Sequence, residues 1–137
     1  MNDTLKILKE KGFCTEEQFE GFRVMLDKIN HGEEIVLGWH GTRASIAKKI
    51  KSEGFKNYRC KEGAYGVYFA DIDNIELARE FAKEKCKEQG EDEYALIKAE
   101  IIHPNPDLLM GRAQWLGQAH NINILETKYF KIKDDER

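Results

Sequence analysis

Glu34-Ile35-Val36-Leu37-Gly38-Trp39-His40-Gly41-Thr42-Arg43 is the stretch where the periodicity of the chain changes. Before it, Phe19, Phe22, Met25, Leu26 and Ile29 recur at helical spacing behind Thr15-Glu16-Glu17-Gln18, a capping box with Thr15 at the N-cap, and Asn30-His31-Gly32 stops the helix. From Ile35 to Trp39 an unbroken apolar run of strand formers reads as a buried strand. After Arg43 the helical period returns over Ala44–Glu53, with Ile46, Ala47 and Ile50 on one face, Lys48, Lys49 and Lys51 away from it, and Gly54 as its C-terminal stop.

Working outward, Asp3 and Thr4 cap a short helix with Leu5, Ile7 and Leu8, ended by Gly12. Gly66-Val67-Tyr68-Phe69-Ala70 is a second short strand. Asp73 or Asn74 caps a helix with Leu77, Ala78, Phe81 and Ala82 inward, closed by Gly90. Tyr94 to Ile102 is a long strand, ending at His103-Pro104. Asn105 to His120 reads as irregular or loosely helical, and 121–125 with 129–132 as the last strands or one bent strand. Without regular β–α alternation, the order predicts an α+β fold rather than a doubly wound parallel sheet.

Composition narrows the function classes. The 137 residues amount to one domain, with a core large enough to form without metal or disulfides. Lys plus Arg total 22 and Asp plus Glu 25, a net charge of −3 that argues against a generic nucleic-acid coat. Cys14, Cys60 and Cys86 form no C-x-x-C pair and read as reduced thiols; with no signal core and no apolar span, a cytoplasmic protein is expected. Between Arg43 and Lys61 seven basic residues face one acidic residue, Glu53. This +6 segment is either a solvated helix face or a field for a pyrophosphate or nucleic-acid phosphate, with Arg43 and Arg59 as candidate phosphate ligands.

Taken singly, the candidate site residues have plain structural readings. A histidine at a strand end is more often structural than catalytic, Phe81 and Trp115 read as core, and Glu126 before Thr127-Lys128 reads as a turn residue. Gly41 sits where a ligand could approach the backbone closely, and the amides entering the next helix offer donors.

Together, in this order, Trp39-His40-Gly41-Thr42-Arg43, Glu53-Gly54-Phe55, Gly66-Val67-Tyr68-Phe69-Ala70-Asp71 and a helix with Ala78 and Phe81 resemble the ADP-ribosyltransferase superfamily, in its His-Tyr-Glu branch of poly(ADP-ribose) polymerases and diphtheria-type toxins. Ile124-Leu125-Glu126-Thr127 looks like the strand that bears the catalytic glutamate in those toxins. The resemblance covers about Glu34 to Ile132. It implies a split β-sheet with flanking helices that clamps NAD as co-substrate, without a metal, over residues 34–137. Residues 1–33 are then an N-terminal helical appendage that regulates, docks a partner or covers the sheet.

By the same resemblance His40 bonds a ribose hydroxyl, the Gly41 backbone grips the nicotinamide carboxamide, and Thr42, Arg43 and Ala70 border the dinucleotide. Tyr68 stacks on the nicotinamide, Phe81 keeps the opposite ring without its hydroxyl, and Glu126 accepts from the nicotinamide-ribose 2′-hydroxyl. Gln114, Trp115, Gln118 and Arg59 are acceptor candidates. Cleaving the nicotinamide–ribose bond builds positive charge on the sugar, so a fixed carboxylate stabilises the transition state and two aromatic faces orient the leaving ring. The expected function is mono-ADP-ribosyl transfer from NAD to a protein or nucleic acid. A bacterial or phage toxin or effector fits the size, with an inhibitory protein as a candidate partner. The alternatives are an RNA 2′-phosphotransferase that uses NAD, and a non-catalytic module that binds NAD or ADP-ribose.

Overall fold

The structure is a computed structural model that describes residues 16–30, 32, 34–59, 65–109 and 112–132. The expected helix near Leu5, the Thr15 cap, Cys14, Cys60 and Lys61 lie outside the described residues.

Among the described residues, three α-helices and an antiparallel sheet make an α+β fold. Helix α1 spans Glu16–Asn30, α2 Ala44–Glu53 and α3 Ile75–Gln89. The strands are β1 (Ile35–Arg43), β2 (Tyr58–Arg59), β3 (Tyr65–Asp71), β4 (Glu93–Ile102), β5 (Asn105–Leu109), β6 (Arg112–Gly117) and β7 (Ile122–Lys131). Six of them lie in the order β5-β6-β3-β1-β4-β7, and the two-residue β2 pairs with β3.

The strand that begins at Ile35 continues past the apolar run, which ends at Trp39, through Arg43, and its register against β4 is unbroken from Ile35↔Ile102 to Arg43↔Tyr94. The opposite edge behaves differently. β1 meets β3 only at Gly38↔Asp71 and Trp39↔Ala70. Beyond Trp39 the two central strands part, and His40, Gly41 and Thr42 border the opening.

Residues directly opposite each other share a face of a sheet, and neighbours along a strand alternate. Trp39, Ala70, Leu96 and Tyr94 therefore face α3 and form a core with Leu77, Ala78, Ala82 and Cys86. Val36, Phe69, Ile101 and Trp115 face the other way and bury Met25 of α1, while Ile97 and Ala95 pack on Ala47 of α2. Met25, only 2% exposed, makes α1 part of the covering of the sheet. Burial pushes the Cys86 thiol pKa up, and its Sγ donates to the Glu93 carbonyl at 3.4 Å.

Helix α2 runs over the expected residues and stops at Gly54, φ 80°. Helix α3 stops at Gly90 in the left-handed region, φ 68°, where a Cβ would be strained. Asn74 is its N-cap residue, without a side-chain capping bond.

One expected element differs from the structure. The stretch read as irregular or loosely helical contains an antiparallel hairpin, β5 with β6, registered from Asn105↔Leu116 to Leu109↔Arg112. Its period-two pattern was masked by Pro104 and Pro106 and by Gln114, a polar residue at a buried position. Pro106 is tolerated because β5 is an edge strand that needs ladder bonds on one side only. The final segment is one strand, β7. The register moves from Lys98↔Glu126 to Ala99↔Ile124, which leaves Leu125 as the extra residue of a bulge.

Candidate functional site

The candidate residues fall on three parts of the sheet. On the α1–α2 face, next to the opening, His40 is 5% exposed and Thr42 is buried. The His40 ring meets Phe55 edge-on at 5.2 Å between centroids and lies 5.5 Å from Phe69. Its Nδ1 is 2.8 Å from the Tyr68 carbonyl oxygen. A carbonyl can only accept, so Nδ1 carries the proton and donates. Burial, and secondarily the Lys85 ammonium, push the His40 pKa down from 6.5 to about 3, while the bond to Tyr68 acts in the opposite direction. At neutral pH the ring is thus uncharged, with a lone pair on Nε2 able to accept from a hydroxyl.

His40, Thr42 and Arg43 line a cleft of about 450 Å³ with Ile46, Ile50 and Phe55, the basic Lys49, Lys56 and Lys85, and the acidic Glu53 and Glu88. The basic residues of this wall give part of the +6 segment a location, while Lys48 and Lys51 are simply exposed on α2. Arg43 is tied to Glu91, which Ser45 Oγ also holds at 2.7 Å. These contacts, the Ser45 bond first, hold the Glu91 carboxyl below its ordinary pKa. No side chain of Arg59 is described.

Gly41 does something other than admit a ligand from its Cα side. A Cβ there would lie 1.8 Å from the Ala78 carbonyl oxygen, so the glycine lets α3 approach the strand. Its carbonyl oxygen accepts from Lys85 Nζ at 3.1 Å.

On the α3 face, on the other side of the opening, stand Tyr68, Ala70, Phe81 and Gln114. Tyr68 is 6% exposed and its hydroxyl donates to Asp107 Oδ2 at 2.7 Å. Tyr68 registers with Leu116, and Gln114, two residues along β6 on the same face, registers with Asp107. Gln114 is 3% exposed, and its Nε2 has no hydrogen-bond partner. Phe81 packs at the margin of the α3 core, with the Arg112 guanidinium 5.5 Å from its centroid and Arg112 ion-paired to Glu80 at 2.8 Å.

Glu126 is not brought to either group. It sits on the outer strand β7, its side chain 47% exposed, with Lys128 Nζ at 3.6 Å. From β3 to β7 there are three strand spacings, about 14 Å. Trp115 is fully buried on the α1 side, its Nε1 donating to Asp71 Oδ1 at 2.9 Å. Gln118 ties the mouth of the sheet together: its Nε2 donates to the Tyr65 carbonyl at 2.9 Å, and its Oε1 accepts from Asn57 at 3.2 Å.

A larger groove of about 750 Å³ between α1 and the start of α3 is rimmed by Asp71, Asp73, Glu76 and Glu80 and contains none of the expected residues. Among the described residues no three of His, Cys, Asp and Glu converge as metal ligands, and no helix is long and apolar enough to cross a membrane.

Asp107 is the residue that sequence reading missed. It follows a proline in a stretch without clear period, and only the hairpin register places it beside Tyr68. Comparison with known protein families, curated proteins and solved structures returned no match to this chain.

Proposed function

We propose that this chain is an NAD-dependent mono-ADP-ribosyltransferase that holds the dinucleotide across the opening between β1 and β3. The adenylate half lies in the His40–Arg43 cleft and the nicotinamide ribose on the Tyr68 side. The observation that carries the reading is His40 itself: buried, uncharged, fixed through Nδ1 to Tyr68, and lining a cleft with lysines on its wall. A neutral imidazole of fixed tautomer suits a ribose hydroxyl, and the lysines suit a pyrophosphate. The ordered His40-Gly41-Thr42 and Gly66–Asp71 motifs, on the two strands that part, support the same reading, as does the two-pair junction that splits the sheet.

Calorimetric titration of the full chain with NAD, paired with adenylate-labelled NAD and cell lysate, tests it. Saturable binding is expected, together with label that protease or nuclease digestion releases from a macromolecule. Failure to bind NAD overturns the reading. A second reading, a module that holds NAD without cleaving it, is favoured by one observation: Glu126 stands about three strand spacings from Tyr68. Binding without nicotinamide release selects it.

A further inference from the structure

We infer that the acceptor is a single-stranded nucleic acid, held by its phosphates on the outer face of α2 with Lys48, Lys49 and Lys51 as ligands, an assignment that rests on the NAD reading above and extends it to the second substrate.

The chain carries a net charge of −3, but its helices share that charge unequally. On α3, Glu76, Glu80, Glu84 and Glu88 are interspersed with Arg79, Lys83, Lys85 and Lys87. On α1, Arg23 meets Glu20 and Asp27 one turn away, and Lys28 reaches Asp71. Helix α2 is built the other way, with three lysines and the single acid Glu53, and no acid in its first turn. Lys48, Lys49 and Lys51 are exposed, and among the described residues their ammonium groups have no ion pair and no hydrogen bond. Lys48 and Lys51, three residues apart, place like charges side by side, which destabilises a helix. A bound polyanion relieves that repulsion.

The chemistry of the face selects a phosphate backbone over a protein. Its exposed positions are Ser45, Lys48, Lys49, Lys51, Ser52 and Glu53, with no apolar or aromatic side chain. Protein interfaces form around a desolvated apolar core, whereas phosphate contacts need only cations and hydroxyl or amide donors. Side chains one turn apart stand about 5–6 Å from each other, and the helix offers about 15 Å of such surface, the reach of a few nucleotides. The face also leads to the site. Lys49 is exposed on α2 and at the same time lines the His40 cleft, as does Lys56. A strand held by Lys48 and Lys51 therefore passes the mouth of the cleft at Lys49. A single strand suits this better than a duplex, because its unstacked bases are free to turn toward the cleft.

In the transfer, the bond from ribose C1′ to the nicotinamide nitrogen breaks and its electron pair leaves with nicotinamide. A nitrogen or hydroxyl of the held strand forms the new bond to C1′, and its proton passes to water.

Fluorescence anisotropy of the full chain without NAD tests the face, with labelled single-stranded DNA, single-stranded RNA and poly-glutamate as probes. A strand is expected to bind with a log–log salt slope of about −2, as three phosphate contacts require. The relative affinity of the two strands identifies the sugar. Lys48→Gln combined with Lys51→Gln, both outside the lining of the cleft, is expected to flatten the slope by about 1.4 and to weaken binding about tenfold at low salt. Its NAD affinity and its nicotinamide release to water are expected to stay within about twofold of the parent. Lys87→Gln combined with Lys131→Gln removes the same charge from exposed positions elsewhere and is expected to bind the strand as the parent does. With adenylate-labelled NAD, label is expected on the strand, about tenfold less of it in the Lys48 and Lys51 variant at subsaturating strand. An unchanged slope in that variant, an equal loss in the Lys87 and Lys131 variant, or poly-glutamate bound as tightly as the strands overturns the face. Label on protein alone, with a strand bound, overturns the strand as acceptor. A parent chain that binds a strand but no NAD overturns the NAD reading and supports the face; one that binds NAD but neither strand overturns the face alone.

Discussion

His40 Nδ1 donates to the Tyr68 carbonyl oxygen at 2.8 Å, across the point where β1 and β3 stop pairing. The bond takes the place of the ladder bonds that the opening removes and fixes the tautomer of the ring.

A pH dependence of stability follows. The folded pKa of about 3 lies below the unfolded value of 6.5, so between these pH values the unfolded chain binds the extra proton. This contribution is fully present above pH 6.5 and is lost as the pH falls toward 3, in total on the order of 3–5 kcal/mol. Urea denaturation at pH 7.5 and at pH 5.5 should show a loss in the parent chain that is smaller in His40→Gln; equal losses would refute it.

Lys85 lowers the His40 pKa, but less than burial does. Lys85→Met should therefore shift the His40 ring titration upward, measured by NMR, while leaving it below 6.5. A shift to the ordinary value would mean that the ammonium, not burial, keeps the ring neutral.

Gly41→Ala should be severely destabilising. Its methyl would fall 1.8 Å from a backbone carbonyl of α3, which cannot swing aside as a side chain can. A loss of about 3 kcal/mol or more by chemical denaturation is expected. A near-neutral effect would show that α3 is free to move off the strand.

Asp71 joins three elements. Its Oδ1 accepts from Trp115 Nε1 at 2.9 Å and from Lys28 Nζ at 2.8 Å, which ties α1, β3 and β6. Asp71→Ala should cost about 2–4 kcal/mol, since it leaves a buried indole donor and a part-buried ammonium unpaired. Lys28→Met should cost less, because it leaves the Trp115 bond in place. Urea midpoints of the two variants give the comparison.

The elements with strong local signals were legible in the sequence. The boundaries of α2, the glycine stops of α2 and α3, and the strands at Ile35, Gly66 and Tyr94 follow from apolar period and backbone chemistry, which act over a few residues. The β5–β6 hairpin was not legible. Its prolines and its buried glutamine break the pattern, and only an edge position and a neighbouring tyrosine make them acceptable.

For the site, the chain by itself determined which residues border the opening: His40, Gly41 and Thr42 end β1, and Tyr68 lies on β3, because their motifs end or form strands locally. The tertiary structure alone decided which carboxylate stands near Tyr68. Glu126 and Asp107 are both acids on late strands, and no local pattern ranks them. Strand order does, because each intervening strand adds nearly 5 Å: β7 lies at the far edge of the sheet, while Asp107 on β5 is brought by the hairpin within a hydrogen bond of the Tyr68 hydroxyl.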